Sequence, residues 1–253
     1  MVRADLLLVE KGLSKSRTHA QKAIAAGRVE YKLAGQWQSL SKPSVKLEEA
    51  TELRIAGDDS DRYVSRGGLK LEAAINQFAI PIEDKLCLDV GQSTGGFTDC
   101  LLQANAKLVV GVDVGRDQLD QTLRSNSRVV CYEGINARDL PAEKLLSHTE
   151  EQGFDVAVMD VSFISQSKIL PSLTPLIKQN GYLISLVKPQ FEVGKEGIGK
   201  GGIVKDAALY HQVEHRIKQQ VESLGLTTQA YIDSPIKGGD GNREFLLIAK
   251  NSR

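Results

Sequence analysis

The sequence predicts a doubly wound α/β sheet behind a small α+β module, on three observations. Seven short apolar runs with strand character lie between residues 86 and 249, and six of them are separated by segments long enough for a crossover helix. The first of these runs, Leu86 to Val90, passes directly into a glycine-bearing turn with a helical pattern behind it. Charge is unevenly spread: nine bases face three acids over residues 1 to 46, a surplus of six in a chain whose 32 basic and 32 acidic side chains balance. A basic module before an acidic body points to a polyanion partner for the former and another task for the latter.

From Arg3 to Val29 the pattern is two short helices. Leu6 to Val9 form the apolar part of the first, and Gly12 ends it. Ser14 or Ser16 caps a second, which runs to Gly27 with Ala20, Ile24 and Ala25 as its apolar face. Lys15, Arg17 and Lys22 remain for solvent or a ligand. Strands are expected at Arg28 to Leu33 and Glu52 to Ile55, with a polar loop carrying Trp37 between them, and Ala56 to Asp61 has linker composition. In the body, strands are expected at Leu86 to Val90, Leu108 to Val114, Arg128 to Tyr132, Val156 to Asp160, Tyr182 to Val187, Thr228 to Ile232 and Phe245 to Ala249. The last two are joined without a helix through Ser234 to Gly239, which makes the seventh antiparallel, at or near an edge. The expected boundaries are a domain over 1–60, a linker over 61–66 and a domain over 67–253.

The 253 residues, 41% hydrophobic and 25% charged, have the proportions of a soluble globular protein and exclude wholesale disorder. Cys87, Cys100 and Cys131 are odd in number with no close pair, so neither a disulfide framework nor a CxxC metal site is indicated; a reducing compartment is expected, and no metal. The N-terminal apolar run is far shorter than a signal-peptide core or the ~20 residues of a membrane helix. The expectation is a cytoplasmic protein without a membrane partner.

The sharpest local feature is Leu88-Asp89-Val90-Gly91-Gln92-Ser93-Thr94-Gly95-Gly96-Phe97-Thr98-Asp99. Glycines at the carboxyl end of a buried-type strand let backbone approach a ligand in the crevice of an open α/β sheet. A dinucleotide fold expects G-x-G-x-x-G, whereas here Gly91 is followed by nothing until Gly95-Gly96, and an acid stands two residues before the first glycine. S-adenosylmethionine-dependent methyltransferases have this look, and the spacing disfavours a nicotinamide oxidoreductase. A second acid, Asp113, closes the next strand 24 residues after Asp89, an offset at which a carboxylate commonly accepts from a ribose diol. Asn136 and Asp139 follow the third strand and are candidates for the adenine edge. Asp160, Lys188 and Glu244 stand at strand ends on the same rim, and Lys70 begins the helix before the sheet. Two lysines and two carboxylates around one crevice suit deprotonation of an alcohol, because a sugar hydroxyl is a poor nucleophile and a desolvated lysine can be tuned by neighbouring acids. The stretch Val193 to Gly202 beside Lys188 is too glycine-rich for a fixed element and reads either as a lid that orders on substrate binding or as a merely floppy loop.

At these residues the sequence resembles the TlyA, or hemolysin A, family of bacterial RNA methyltransferases, whose catalytic domain is similar to the FtsJ (RrmJ) ribose 2′-O-methyltransferases. The most specific stretches are Ser65-Arg66-Gly67-Gly68-Leu69-Lys70-Leu71 and Asp89 to Phe97. Arg3 to Leu13, Ser16-Arg17 and Ala26 to Val29 resemble the RNA-binding domain first described in small-subunit ribosomal protein S-four. The resemblance implies a Rossmann-like class I methyltransferase sheet of seven strands, the last antiparallel, preceded by that α+β RNA-binding domain. It implies transfer of a methyl group from S-adenosylmethionine to a ribose 2′-hydroxyl of ribosomal RNA, a cytidine by family likeness, with ribosomal RNA or a ribosomal subunit as partner. The family's Lys-Asp-Lys-Glu tetrad falls on Lys70, Asp160, Lys188 and Glu244, with Lys188 held by Asp160 and Glu244. The family's cofactor loop falls on Gly91, Ser93, Gly95 and Gly96, with Asp113 on the ribose; Asp89, Phe97 and Asn136 complete the cofactor candidates, and the surplus of six positive charges makes Arg3, Lys15, Arg17, Lys22 and Arg28 the candidates for RNA phosphates. Gln92 stands where the family has a small residue, and Arg62-Tyr63-Val64-Ser65 has Tyr where many members have Trp. A non-catalytic ribosome-associated RNA binder is countered by the intact tetrad. A pore-forming haemolysin is countered by the lack of a signal peptide, a span or alternating barrel strands.

Overall fold

The structure is a computed structural model and describes residues 1–14, 16–57, 62–239 and 241–252. The chain divides into two compact units, Met1–Asp59 and Ser60–Arg253.

In the first unit a short strand β1 (Val2–Arg3) leads into helix α1 (Ala4–Glu10), followed by α2 (Arg17–Ala25) and strands β2 (Val29–Leu33), β3 (Gln36–Ser39), β4 (Lys46–Leu47) and β5 (Leu53–Ile55). Ser16 caps α2, its hydroxyl accepting from the His19 amide at 3.2 Å. Leu7, Leu8, Ala20, Ala23, Ile24 and Val29 form the unit's core. The expected polar loop around Trp37 is instead strand β3, paired antiparallel with β2 in a sheet ordered β3-β2-β5. Ala34 and Gly35, both at positive φ (49° and 83°), make the two-residue turn that matches the twist of a hairpin.

The second unit continues with α3 (Gly67–Gln77), β6 (Leu86–Val90), α4 (Gly96–Gln103), β7 (Leu108–Asp113), α5 (Gln121–Arg124), β8 (Val129–Glu133), α6 (Ala142–Leu146), β9 (Phe154–Met159), α7 (Leu170–Leu173), β10 (Ile177–Val187), α8 (Ala208–Ser223), β11 (Leu226–Asp233) and β12 (Phe245–Asn251). Its sheet runs β11-β12-β10-β9-β6-β7-β8, seven strands of which β12 alone runs opposite to the other six. This is the expected sheet, with the seventh strand one place in from an edge. Alternation along the strands divides the apolar side chains between two faces. Leu88, Val110, Ala157 and Leu183 pack towards Leu145, Leu170 and Ile217 of α6, α7 and α8. Cys87, Val109, Val158 and Ile184 pack towards Leu71, Phe97 and Leu101 of α3 and α4. Because β6, β7, β9 and β10 are parallel, their carboxyl ends open on one rim, where the loops carry the candidate chemistry. Among the described residues no helix is long and apolar enough to cross a membrane, and no group of three or more His, Cys, Asp or Glu is placed to hold a metal ion.

Candidate active site

Val90 and Met159 are register partners at the ends of β6 and β9, so Gly91 and Asp160 leave the sheet side by side. The Asp160 amide donates to the Val90 carbonyl at 3.0 Å. Gly91 has φ +85°, and a Cβ built on it would lie 2.3 Å from the Asp160 carbonyl oxygen. Only glycine admits this approach of the two turns.

Two cavities adjoin at this place. The smaller, about 300 Å³, is lined by Ser65, Arg66 and Lys70 on one side, the Gly91–Phe97 turn on another, and Asp160, Ser162 and Lys188 on the third. The larger, about 620 Å³, is lined by Asp113, Asn136 and the apolar side chains of Val112, Val114, Ile135, Phe163 and Ile164. Gly91, Ser93, Asp160 and Ser162 line both. One cavity is thus rich in charge and the other is mostly apolar, with the Asp113 carboxylate in its wall.

The four tetrad residues come together as two ion pairs. Lys188 Nζ lies 2.6 Å from Asp160 Oδ1 and donates to Ser162 Oγ at 2.9 Å. Lys70 Nζ donates to Glu244 Oε2 at 2.5 Å, and both side chains are almost wholly buried. The expected arrangement, Lys188 between Asp160 and Glu244, is therefore corrected. Phe245 pairs with Val187, which sets Glu244 beside Lys188 along the sheet, yet the Glu244 carboxylate reaches across to α3. Lys70, Asp160 and Lys188 line the charged cavity, and Glu244 stands behind Lys70. The loops bearing Asp160 and Lys188 are braced by buried Glu192, whose carboxylate accepts from Ser165 Oγ and the Gln166 amide, both at 2.7 Å, and pairs with Arg216.

The candidate cofactor residues separate into two groups. Gly91, Ser93, Gly96 and Phe97 line the cavities, as do Asp113 and Asn136. Asp113 also fixes the turn, its Oδ2 accepting from the Ser93 amide at 2.7 Å and its Oδ1 from the Gly115 amide at 2.6 Å. Asp89 and Gly95 line neither cavity. Asp89 is fully buried beneath the turn, where it accepts from Thr98 Oγ1 at 2.7 Å, and Thr98 in turn accepts from Gln92 Nε2 at 2.9 Å. Burial pushes its carboxyl up to about 7, against the opposing pull of the Thr98 hydrogen bond. A Cβ on Gly95 would meet Leu119 and Leu123, on the core side of the turn. Asp139 is exposed and lines neither cavity. Gln92 turns inward and occupies the space where a Cβ on Gly111 would stand, so the missing side chain in the middle of β7 makes room for it.

In the first unit, Arg3 and Arg17 both turn onto Asp5. Arg3 holds it through Nε and Nη2, each at 3.0 Å, and Arg17 through Nε at 2.9 Å, with Gln21 adding a bond at 2.7 Å. These contacts hold the buried Asp5 carboxyl well below the ordinary carboxylate range, the Arg3 bond first among them. The arginine side chains remain 38% and 53% exposed, so each keeps donors for a further anion. Lys22 is exposed and Arg28 half-buried, with its Nη1 towards the Ala56 carbonyl. Lys15 lies outside the described residues.

Sequence reasoning overlooked Arg66 and Ser162. Arg66 sat in plain view within Ser65-Arg66-Gly67-Gly68, and Ser162 lies two residues past a strand-end acid, but only the folded rim shows that each faces Lys70 or Lys188 across the same cavity.

The comparisons with known proteins agree with this geometry. Residues 63–251 match the model of the FtsJ-like methyltransferase family. YqxC of Bacillus subtilis, which bears an rRNA methyltransferase name, is 44% identical over 97% of this chain and 84% of its own length. The 16S/23S rRNA (cytidine-2′-O)-methyltransferase TlyA of Mycobacterium tuberculosis is 39% identical over 97% of this chain and 88% of its own. A solved Streptococcus thermophilus structure bearing the name hemolysin superposes with TM-score 0.74 at 40% identity, over 99% of this chain and 88% of that one. A mostly parallel sheet whose strand ends converge on one charged cleft, a family model spanning that whole sheet, and relatives aligned over nearly the full chain lead to one assignment: the chain belongs to the FtsJ-like methyltransferase family, in its TlyA group.

Proposed function

We propose that the chain transfers the methyl group of S-adenosylmethionine to a ribose 2′-hydroxyl of ribosomal RNA, with cytidine as the target nucleoside. The observation that carries this reading is the adjoining of two unlike cavities across Gly91 and Asp160. The larger suits a nucleoside: apolar walls for a purine, Asp113 for a diol and Asn136 for the base edge, within the ~300–1,000 Å³ typical of ligand sites. The smaller suits a hydroxyl that must lose its proton. Bound S-adenosylmethionine would supply an electrophilic methyl group. The Gly91–Phe97 backbone would hold it beside the charged cavity, and much of the rate gain would come from that positioning.

Lys188, steadied by Asp160 and Ser162, is the group placed to contact the 2′-hydroxyl: its Nζ, deprotonated, takes the hydroxyl proton as the oxygen gains the methyl group, and Asp160 stabilises the ammonium that results. Lys70, steadied by Glu244, orients the ribose or its phosphate. The cytidine and the ribosomal RNA are brought by the name of the M. tuberculosis relative. The direct test is incubation of the purified protein with S-adenosylmethionine and ribosomal subunits, followed by mass mapping of the RNA. A 2′-O-methylated cytidine is expected; a methylated base with unmodified riboses would overturn the reading.

The first unit serves in this proposal as an S-four-type RNA-binding domain over 1–60, reached through the 61–66 linker. Its phosphate contacts come from Arg3, Lys15, Arg17, Lys22 and Arg28. Arg17→Ala is expected to weaken binding to ribosomal RNA and reduce its salt slope by about 1, leaving S-adenosylmethionine affinity unchanged. Filter binding across a salt series checks it, and an unaltered slope would remove Arg17 from the interface.

A further inference from the structure

The segment 193–205 is glycine-rich, yet the structure gives it defined geometry. A single 3-10 turn at Lys195–Gly197 leads into an antiparallel bridge between Ile198 and Val204, which closes a tight loop over 199–203. The Gly199 amide donates to the Ile203 carbonyl at 2.7 Å, and the Lys205 amide to the Gly197 carbonyl at 3.0 Å. Buried Asn242 pins the tip from outside, donating through Nδ2 to the Gly202 carbonyl at 3.0 Å and accepting the Val204 amide at 3.3 Å. The expected lid is thus a small hairpin, tied at its root to Lys188 by chain and at its tip to Asn242, two residues before Glu244.

Its charge runs against its surroundings. Residues 47–253 carry the surplus of acids that balances the basic N-terminal stretch, but the hairpin presents Lys195, Lys200 and Lys205 against the single acid Glu196. All three lysines are exposed. Gly201 and Gly202, at φ +74° and +79°, have open space where side chains would stand, so backbone can be approached closely there. Nothing in the two-cavity reading uses these residues.

We propose that this hairpin is a phosphate-binding surface of the catalytic unit, gripping the RNA backbone next to the ribose presented to Lys188. The proposal rests on the reading of RNA as the substrate. Its cations need no base specificity; they release counterions and fix the register of the strand over the cleft. Chain continuity with the Lys188 loop and the two Asn242 hydrogen bonds keep the hairpin beside the strand ends that carry Lys188 and Glu244.

The test pairs K195A/K200A with K195R/K200R and with the control K107A, an exposed lysine just before β7 at the opposite end of the strands. For ribosomal RNA the alanine pair is expected to raise KM roughly 10-fold and lower the salt slope of binding by about 1 to 2, with S-adenosylmethionine affinity unchanged. The arginine pair restores both, and K107A alters neither. A wild-type KM and salt slope in the alanine pair would overturn the hairpin's role even where methyl transfer is normal. If wild-type protein transfers no methyl group to RNA but the alanine pair still loses RNA affinity, the hairpin stands and the reaction falls.

Discussion

Lys188→Ala is expected to lower the single-turnover rate of methyl transfer by ~10²- to 10⁴-fold, the range that positioned proton transfer contributes. Folding and cofactor affinity should both survive. Lys188 lines only the charged cavity, and its partner Asp160, with a side chain 24% exposed, can be hydrated when left alone. Asp160→Asn should be slow for a related reason, since the amide keeps the shape of the rim but loses the charge that steadies Lys188. The second pair behaves differently. Lys70 and Glu244 are almost wholly buried, so Glu244→Ala leaves an ammonium unpaired in the interior, a change that typically costs ~3–5 kcal/mol. Slow transfer by that variant would therefore be ambiguous, and thermal melting must accompany it. Rapid-quench kinetics with excess enzyme reads the chemical step directly. A well-folded Lys188→Ala protein that methylates a 2′-oxygen at near the wild-type rate would sink the assignment.

Much of this site was legible in the sequence because strand ends announce themselves. Leu86 to Val90, Leu108 to Asp113 and Phe154 to Met159 are largely buried on both faces and read as predominantly apolar runs, each with a single aspartate, so their ends mark the rim. What could not be read is which rim residues pair. Lys70 and Glu244 are 174 residues apart, and their contact depends on β12 entering the sheet between β10 and β11. Asp89 illustrates the opposite case. An acid in the cofactor motif was read as a ligand contact, but side-chain direction along a strand sends its carboxylate under the turn, towards Thr98, where burial rather than exposure governs it. Strand β3 escaped because one apolar residue among polar neighbours carries no alternation. Trp37 packs under the Arg54 guanidinium, 4.2 Å from its centroid, rather than into the core. The Ala34-Gly35 turn was the missed signal.

Gly91→Val is expected to reduce S-adenosylmethionine affinity by more than ~100-fold, about 2.7 kcal/mol. The added Cβ would sit 2.3 Å from the Asp160 carbonyl oxygen, 2.9 Å from its carbonyl carbon and 3.0 Å from Val161 Cγ1, at a φ of +85° that a β-branched residue resists. Backbone on both sides leaves nothing cheap to move, so the β6 and β9 turns must part where the two cavities meet. Gly95→Ala makes the contrast. Its Cβ would meet the ends of Leu119 and Leu123, flexible side chains on the core side, so it should lower the melting temperature more than it lowers cofactor affinity. Both variants disturb catalysis, which is why the deciding measurement is calorimetric titration with S-adenosylmethionine on protein shown to be folded. Wild-type affinity in Gly91→Val, or a greater loss in Gly95→Ala than in Gly91→Val, would mean that the cofactor lies elsewhere than across this turn. The predicted order follows from what each missing side chain would strike: main chain at Gly91, yielding methyl groups at Gly95.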